Sequence, residues 1–160
     1  MPFEKTYHVV AQHGVAFNIF EFTVKPSERC RLNELCFPNA RRHNYQIVRK
    51  VMEVYDRMHA GAFSCFISVA ISLPLNRIQG DALNAQRWTI TGLVSAAVGS
   101  TVGVLAGGFI SGGLAKTATA AFVASRLPTY HSGDVLVSIS AKVKGGIGPQ
   151  HTSTSMIVTA

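Results

Sequence analysis

The chain is poor in charge, and poorest in acid. Charged residues make up 14% of its 160 positions, well below the roughly 25% usual in soluble proteins. Eight Asp and Glu stand against fifteen Lys and Arg, and the carboxylates are too scattered to form an acid–base pair. Cysteine is scarce as well: Cys30, Cys36 and Cys65 form an odd count with neither framework, redox nor zinc spacing. Buried free thiols are the expectation, with a Cys30–Cys36 bridge left open. The histidines, His8, His13, His43, His59, His131 and His151, lie far apart, and none pairs with another histidine or a cysteine at metal-ligand spacing. There is no Gly-x-Ser-x-Gly elbow. The stretch Gly108–Thr117 falls short of a phosphate-binding loop, because Leu114 and Ala115 separate Gly113 from Lys116 and the lysine must follow the last glycine directly. The sequence therefore predicts no enzyme, metal or cofactor. Its first residues, MPFEKTYHVV, contain no apolar h-region or cleavage site. No signal peptide is expected, so the chain reads as cytoplasmic in the cell that makes it, and reaching another membrane would need a delivery machine.

Charge is missing altogether from one long stretch. Between Arg87 and Lys116 about 28 consecutive positions carry none, more than the ~20 apolar residues that cross a bilayer. If helical, the stretch is about 42 Å long. Glycine, alanine, serine and threonine outnumber large aliphatics over 88–127. At intervals of four, Ser95, Gly99, Gly103, Gly107, Ser111, Ala115 and Thr119 make an unbroken row of small residues, with Gly108 and Gly112 beside it. Glycine inside a helix costs roughly 1 kcal/mol against alanine in water. In lipid, small residues at i and i+4 let helix backbones approach closely. The pattern predicts a glycine-zipper helix or helical hairpin. Arg87 and Trp88 at one end, and Arg126 and Tyr130 at the other, stand where interfacial anchors belong. The competing expectation is a core in which short helices pack tightly through their glycines and never meet a membrane.

The rest of the chain is strand-rich. Lys5–Gln12 and Val15–Val24 alternate apolar and polar residues about His13-Gly14, the pattern of a hairpin. Ser27–Asn39 reads as an irregular or short helical connection. From Ala40 to His59 the period changes to 3.6: Ile47, Val48, Val51, Met52, Val54, Tyr55 and Met58 share a face opposite Arg49, Lys50, Glu53, Asp56 and Arg57. Residues 62–73 alternate strictly up to Pro74, which favours a strand, although Ser64, Ser68 and Ser72 would also suit a packed helix. Asn76–Asn84 reads as a polar connection with a turn at Gly80-Asp81. Val135–Val143 and His151–Thr159 are strands around the turn 145–149. The expected architecture is one α+β domain, 1–160: a mainly antiparallel sheet built from both chain ends, one amphipathic covering helix, and the long apolar element at 88–127.

A net charge of +7 and a pI near 9.7 favour acidic partners: anionic lipid, nucleic acid or an acidic protein. Arg29, Arg31, Arg41, Arg42, Arg49, Lys50 and Arg57 supply much of that charge. Nucleic acid is the weaker expectation, because Tyr45 and Tyr55 sit at helical core spacing and not as stacking platforms. A mean hydropathy of +0.24 suits a water-soluble body with one membrane-grade segment.

The Gly99-xxx-Gly103-xxx-Gly107 run, in a small strand-rich chain without a signal peptide, resembles the glycine-zipper pore-forming effectors that Gram-negative bacteria inject into competitors by type VI secretion. The resemblance covers residues 88–127. It implies insertion into the target's inner membrane, assembly with further copies there, ion leakage, carriage inside the secretion tube, and an immunity protein in the producer. The alternative is a structural or binding module, such as a virion or scaffold component.

Overall fold

The computed structural model describes residues 3–10, 14–58, 63–86, 132–143 and 151–159. Its frame is a five-stranded antiparallel sheet whose spatial order equals its chain order: β1 Lys5–Val10, β2 Ala16–Val24, β3 Cys65–Ser72, β4 Val135–Val143 and β5 His151–Val158. Period-2 alternation of β-branched and aromatic residues produces these strands. Residues 62–73 resolve as strand within Cys65–Ser72, paired on both sides, with Ile19 opposite Ala70 and Ala70 opposite Ser138. Val10 pairs with Ala16, so residues 11–15 connect β1 to β2 where a two-residue turn was expected. Gly14 takes the left-handed conformation there, at φ 68°, which glycine adopts without steric cost.

Between β2 and β3 the chain forms two 3-10 segments, Pro26–Glu34 and Pro38–His43, and then α1, Asn44–Arg57. The helix thus starts four residues later than its periodicity suggested. The reason is local: Asn44 staples the linker between the 3-10 segments, accepting from the Phe37 amide at 2.8 Å and donating to the Leu35 carbonyl at 2.9 Å. The Arg29 guanidinium grips the Asp56 carboxylate with bonds of 2.8 and 2.7 Å, tying the first 3-10 segment to α1. Met58 carries a terminal backbone bond to Tyr55.

α1 packs on one face of the sheet, chiefly over β4 and β5. The core joins Ile47, Val51, Val54 and Tyr55 to Phe20, Phe22 and Val24 of β2, Cys65–Ile71 of β3 at alternate positions, and Val135–Val143 likewise. Phe3 and Phe37 complete an aromatic group against Phe20, with ring centroids 4.8 and 5.3 Å from it. Fully burying each such side chain stabilises by roughly 1.5–3 kcal/mol.

Two expectations need correction. Asn76–Asn84 is no open connection: Arg77–Gln86 is a second helix, α2. The Asn76 side chain accepts from the Gln79 amide at 2.8 Å, and the Gln79 side chain accepts from the Asn76 amide at 3.1 Å. That reciprocal cap offsets the cost of Gly80. The second correction concerns the long apolar helix or hairpin of 88–127. Among the described residues the α-helices are α1 and α2, of 14 and 10 residues, and none is long and apolar enough to cross a membrane. The fold is α+β with short helices, and 88–127 lies outside the described residues. That expectation rested on run length and small-residue spacing. Neither drives helix formation in water, where each interior glycine costs ~1 kcal/mol.

Candidate functional site

Every residue singled out in the uncharged run (Ser95, Gly99, Gly103, Gly107, Gly108, Ser111, Gly112 and Ala115) lies outside the described residues, as do Arg87, Trp88, Arg126 and Tyr130. What the structure supplies is the place where that run is rooted. β3 and β4 are adjacent partners, paired from Cys65 opposite Val143 to Ile71 opposite Val137. All of residues 76–132 therefore form an excursion between two neighbouring strands. Its two ends are clasped together. The Leu75 amide donates to the Asp134 carbonyl at 3.4 Å, and the Gly133 amide donates to the Leu75 carbonyl at 3.2 Å. Gly133 closes the clasp at φ 91°, again in the left-handed region. One side of the excursion's start is tethered, because the Gln79 side chain donates to the Gly14 carbonyl at 2.9 Å.

Beneath the clasp lies a buried polar group. Asp134 and His43 are both buried, and they are close enough for the carboxylate to act on the imidazole. His43 is nevertheless held below its ordinary value of 6.5, chiefly by burial, with Arg42 adding to the effect and Asp134 opposing it. Its Nε2 has no hydrogen-bond partner, nor have the amide atoms of Asn39 in the same 3-10 segment. A neutral imidazole beside a carboxylate is half of a nucleophile-activating set. Among the described residues, however, no three His, Cys, Asp or Glu gather as metal ligands. The free thiols do not join the group as expected of buried residues either: Cys30 and Cys36 are exposed, and only Cys65 is buried. Burial pushes the Cys65 thiol up to about 11, so it stays protonated and unreactive near neutrality.

The second face of the sheet is the other unusual surface. Pairing puts Tyr7, Ile19, Ala70 and Ser138 in one row across it, and Lys5, Glu21, Ser68 and Ser140 in the next. Phe17, Ile19, Ala70, Leu136, Ser68, Ser138 and Ser140 are all buried there, and Glu21 is only 3% exposed. The Tyr7 hydroxyl donates to the Glu21 carboxylate at 2.7 Å, and Lys5 lies 5.3 Å from the Tyr7 ring centre. Burial, then the hydrogen bond to Glu21, pushes the Tyr7 phenol far above its ordinary range. The Ser68 hydroxyl is buried without a partner. The signal in β2 is mixed: Phe17 and Ile19 share this face with Glu21 and Thr23, which make it look solvent-facing.

The arginines of α1 fare differently from expectation. Tyr45 is 71% exposed, not in the core, because at 3.6 residues per turn it lies about 120° round α1 from Val51, at the centre of the buried face. It forms a pair with Arg49, whose guanidinium lies 5.6 Å from the ring centre and donates to the hydroxyl at 3.0 Å. The shallow groove there, about 350 Å³, is also lined by Glu53 and Asp56. Lys50 is paired with Glu53 at 2.7 Å. Mixed signs make this a solvated surface and not an anion trap. No family model, curated protein or solved structure matches this chain.

Proposed function

We propose that the protein is a membrane-active, pore-forming toxin in which the run 88–127 enters the bilayer of a target cell and dissipates its ion gradients. The observation that carries the reading is the rooting of that run. About 28 uncharged positions sit inside an excursion whose ends are clasped at Leu75, Gly133 and Asp134. β3 and β4 pair directly beside it, so the run can change its surroundings without breaking a strand ladder. Small residues at four-residue spacing favour close approach of backbones in lipid, and with it assembly of several copies. Basic charge, +7 overall, favours an anionic bilayer, at about 1 kcal/mol per basic residue near the surface. A secretion-tube carrier and an immunity protein belong to the same proposal. The burial of the second face supports a second reading, in which the protein is a structural or binding module and the run never leaves.

Dye-loaded vesicles containing phosphatidylglycerol separate the two, together with membrane-potential measurements on cells expressing the chain with and without a periplasmic signal. The toxin reading expects leakage and loss of potential. Gly103→Leu, in the middle of the small-residue row, should abolish leakage while the melting temperature holds. Unimpaired growth in both compartments and intact vesicles favour the module. Leakage retained by Gly99→Leu, Gly103→Leu and Gly107→Leu alike would show that this row is not the working surface.

A further inference from the structure

The clasp between Leu75 and Asp134 marks one end of the sheet, and apolar and basic side chains are exposed together there. Val10 pairs with Ala16, and the Leu73 amide donates to the Ala16 carbonyl at 2.9 Å. Val10, Ala16 and Leu73 thus form one row across β1, β2 and the end of β3. The Gln79 side chain binds the Gly14 carbonyl, which holds α2, and Ile78 with it, at the same end. His43 reaches Asp134, so the 3-10 turn bearing Arg41 and Arg42 begins there as well. Val10 is 57% exposed, Leu73 39% and Ile78 80%. Among the described residues the other exposed large apolar side chains are Tyr45 and Phe63. Tyr45 is taken up by Arg49, and Phe63 precedes β3 at the far end of the sheet.

We propose that this clasped end is the surface by which the protein lands on an anionic lipid bilayer. Val10, Leu73 and Ile78 enter the headgroup layer, and Arg41, Arg42 and Arg77 bind lipid phosphates.

Two observations select that partner. The first is charge. Of the eight carboxylates in the chain, this end exposes Asp81 alone, a loose 3.9 Å from Arg77, while Asp134 is buried. Glu4 and Glu28 stand at the opposite end, beside Lys5 and Lys25. Glu34, Glu53 and Asp56 are engaged by Arg31, Lys50 and Arg29, and Glu21 is buried. Arg41 and Arg42 are exposed and join no ion pair among the described residues. An anionic surface meets little repulsion here. The second observation is size. Three aliphatic side chains fall well short of the ~800 Å² that each partner of a stable protein complex buries. A bilayer needs no matching surface: apolar side chains enter its interface, and basic neighbours add attraction to anionic lipid. The inference rests on the membrane-active part of the reading above and not on insertion of the run.

The test is co-sedimentation of the full chain with vesicles of graded phosphatidylglycerol content. Ile78→Glu, and separately Arg41→Gln with Arg42→Gln, should weaken binding about tenfold or more. Phe63→Glu, at the far end, should leave it nearly unchanged, and the urea midpoint of each variant confirms its fold. Independently, Ile78→Cys in a Cys30→Ser, Cys36→Ser background carries an environment-sensitive NBD dye. Its emission should shift to the blue on phosphatidylglycerol vesicles, and the same dye on Phe63→Cys should not shift. No binding, binding that ignores phosphatidylglycerol, equal losses at positions 78 and 63, or an unshifted dye at 78 overturns the proposal. A shift at 78 that grows with protein concentration without vesicles assigns the patch to a second copy and overturns it too. Dye leakage separates this surface from the pore. Binding with the shift at 78 but no leakage upholds the landing surface and refutes the pore. Binding and leakage untouched by Ile78→Glu and by the arginine variant uphold the pore and overturn the landing surface.

Discussion

The two faces of one sheet are built from the same strands and yet are two kinds of surface. On the first, Ile67, Val69, Ile71, Val137 and Ile139 meet α1 in an unbroken apolar layer. On the second, the same strands turn out Ser68, Ala70, Ser138 and Ser140, with buried Glu21 beside them. The apolar face cannot be opened without losing most of the hydrophobic driving force. The second face mixes its serines with buried Phe17, Ile19 and Leu136, and its hydroxyls exchange protein contacts for water at a net cost of ~1 kcal/mol each.

The comparison is most sharply probed by Phe22→Ala on the first face. Phe22 is fully buried within the α1 core, and its loss should cost about 3–5 kcal/mol, read as a fall in the urea midpoint. Ile19→Ala, on the second face and equally buried, should cost about 2 kcal/mol, the lower end for such a deletion, because one of its two cross-strand partners, Ala70, is small, the other being Tyr7. Equal losses at the two positions would erase the distinction between the faces.

A pH series addresses the clasp between them. His43 is held below 6.5 in the folded chain, so as pH falls below that value the unfolded chain binds a proton that the folded chain refuses. Stability is then unpenalised above pH 6.5, declines below it, and reaches its full penalty beneath the folded value. His43→Gln should flatten the urea midpoint between about pH 7 and pH 5. An unchanged slope would assign the dependence to other groups. The smallest effect is expected at Arg29→Ala. Its bond to Asp56 is short, but both partners are about half exposed, which limits the loss to about 1 kcal/mol or less. A larger fall in midpoint would mean that this pair anchors the first 3-10 segment over the core.

Parts of the fold could be read directly. Val135–Val143 emerges with the boundaries its alternation indicates, and the inward face of α1 follows its 3.6-residue period, with Ile47, Val48, Val51, Val54 and Tyr55 buried. The α2 helix was equally legible through its Asn76-x-x-Gln79 cap, which a turn assignment at Gly80-Asp81 obscured. The candidate site was not. Asp134 and His43 are far apart in sequence and meet only because β4 lies beneath α1. Tyr45 shows that spacing from Tyr55 alone misleads: measured against the whole buried face of α1, position 45 lies about 120° away from Val51 and is exposed.

Local chemistry, then, determined the elements of this protein, because alternation, capping and helical period act over a few neighbouring residues. It also marked the uncharged run, which is a property of composition. The tertiary structure alone decided that β3 and β4 are neighbours, that the excursion between them closes on Leu75 and Asp134, and that the serine-bearing face is covered. Those outcomes depend on atoms brought together from distant parts of the chain, and a strand's own alternation carries no record of what lies over its polar side.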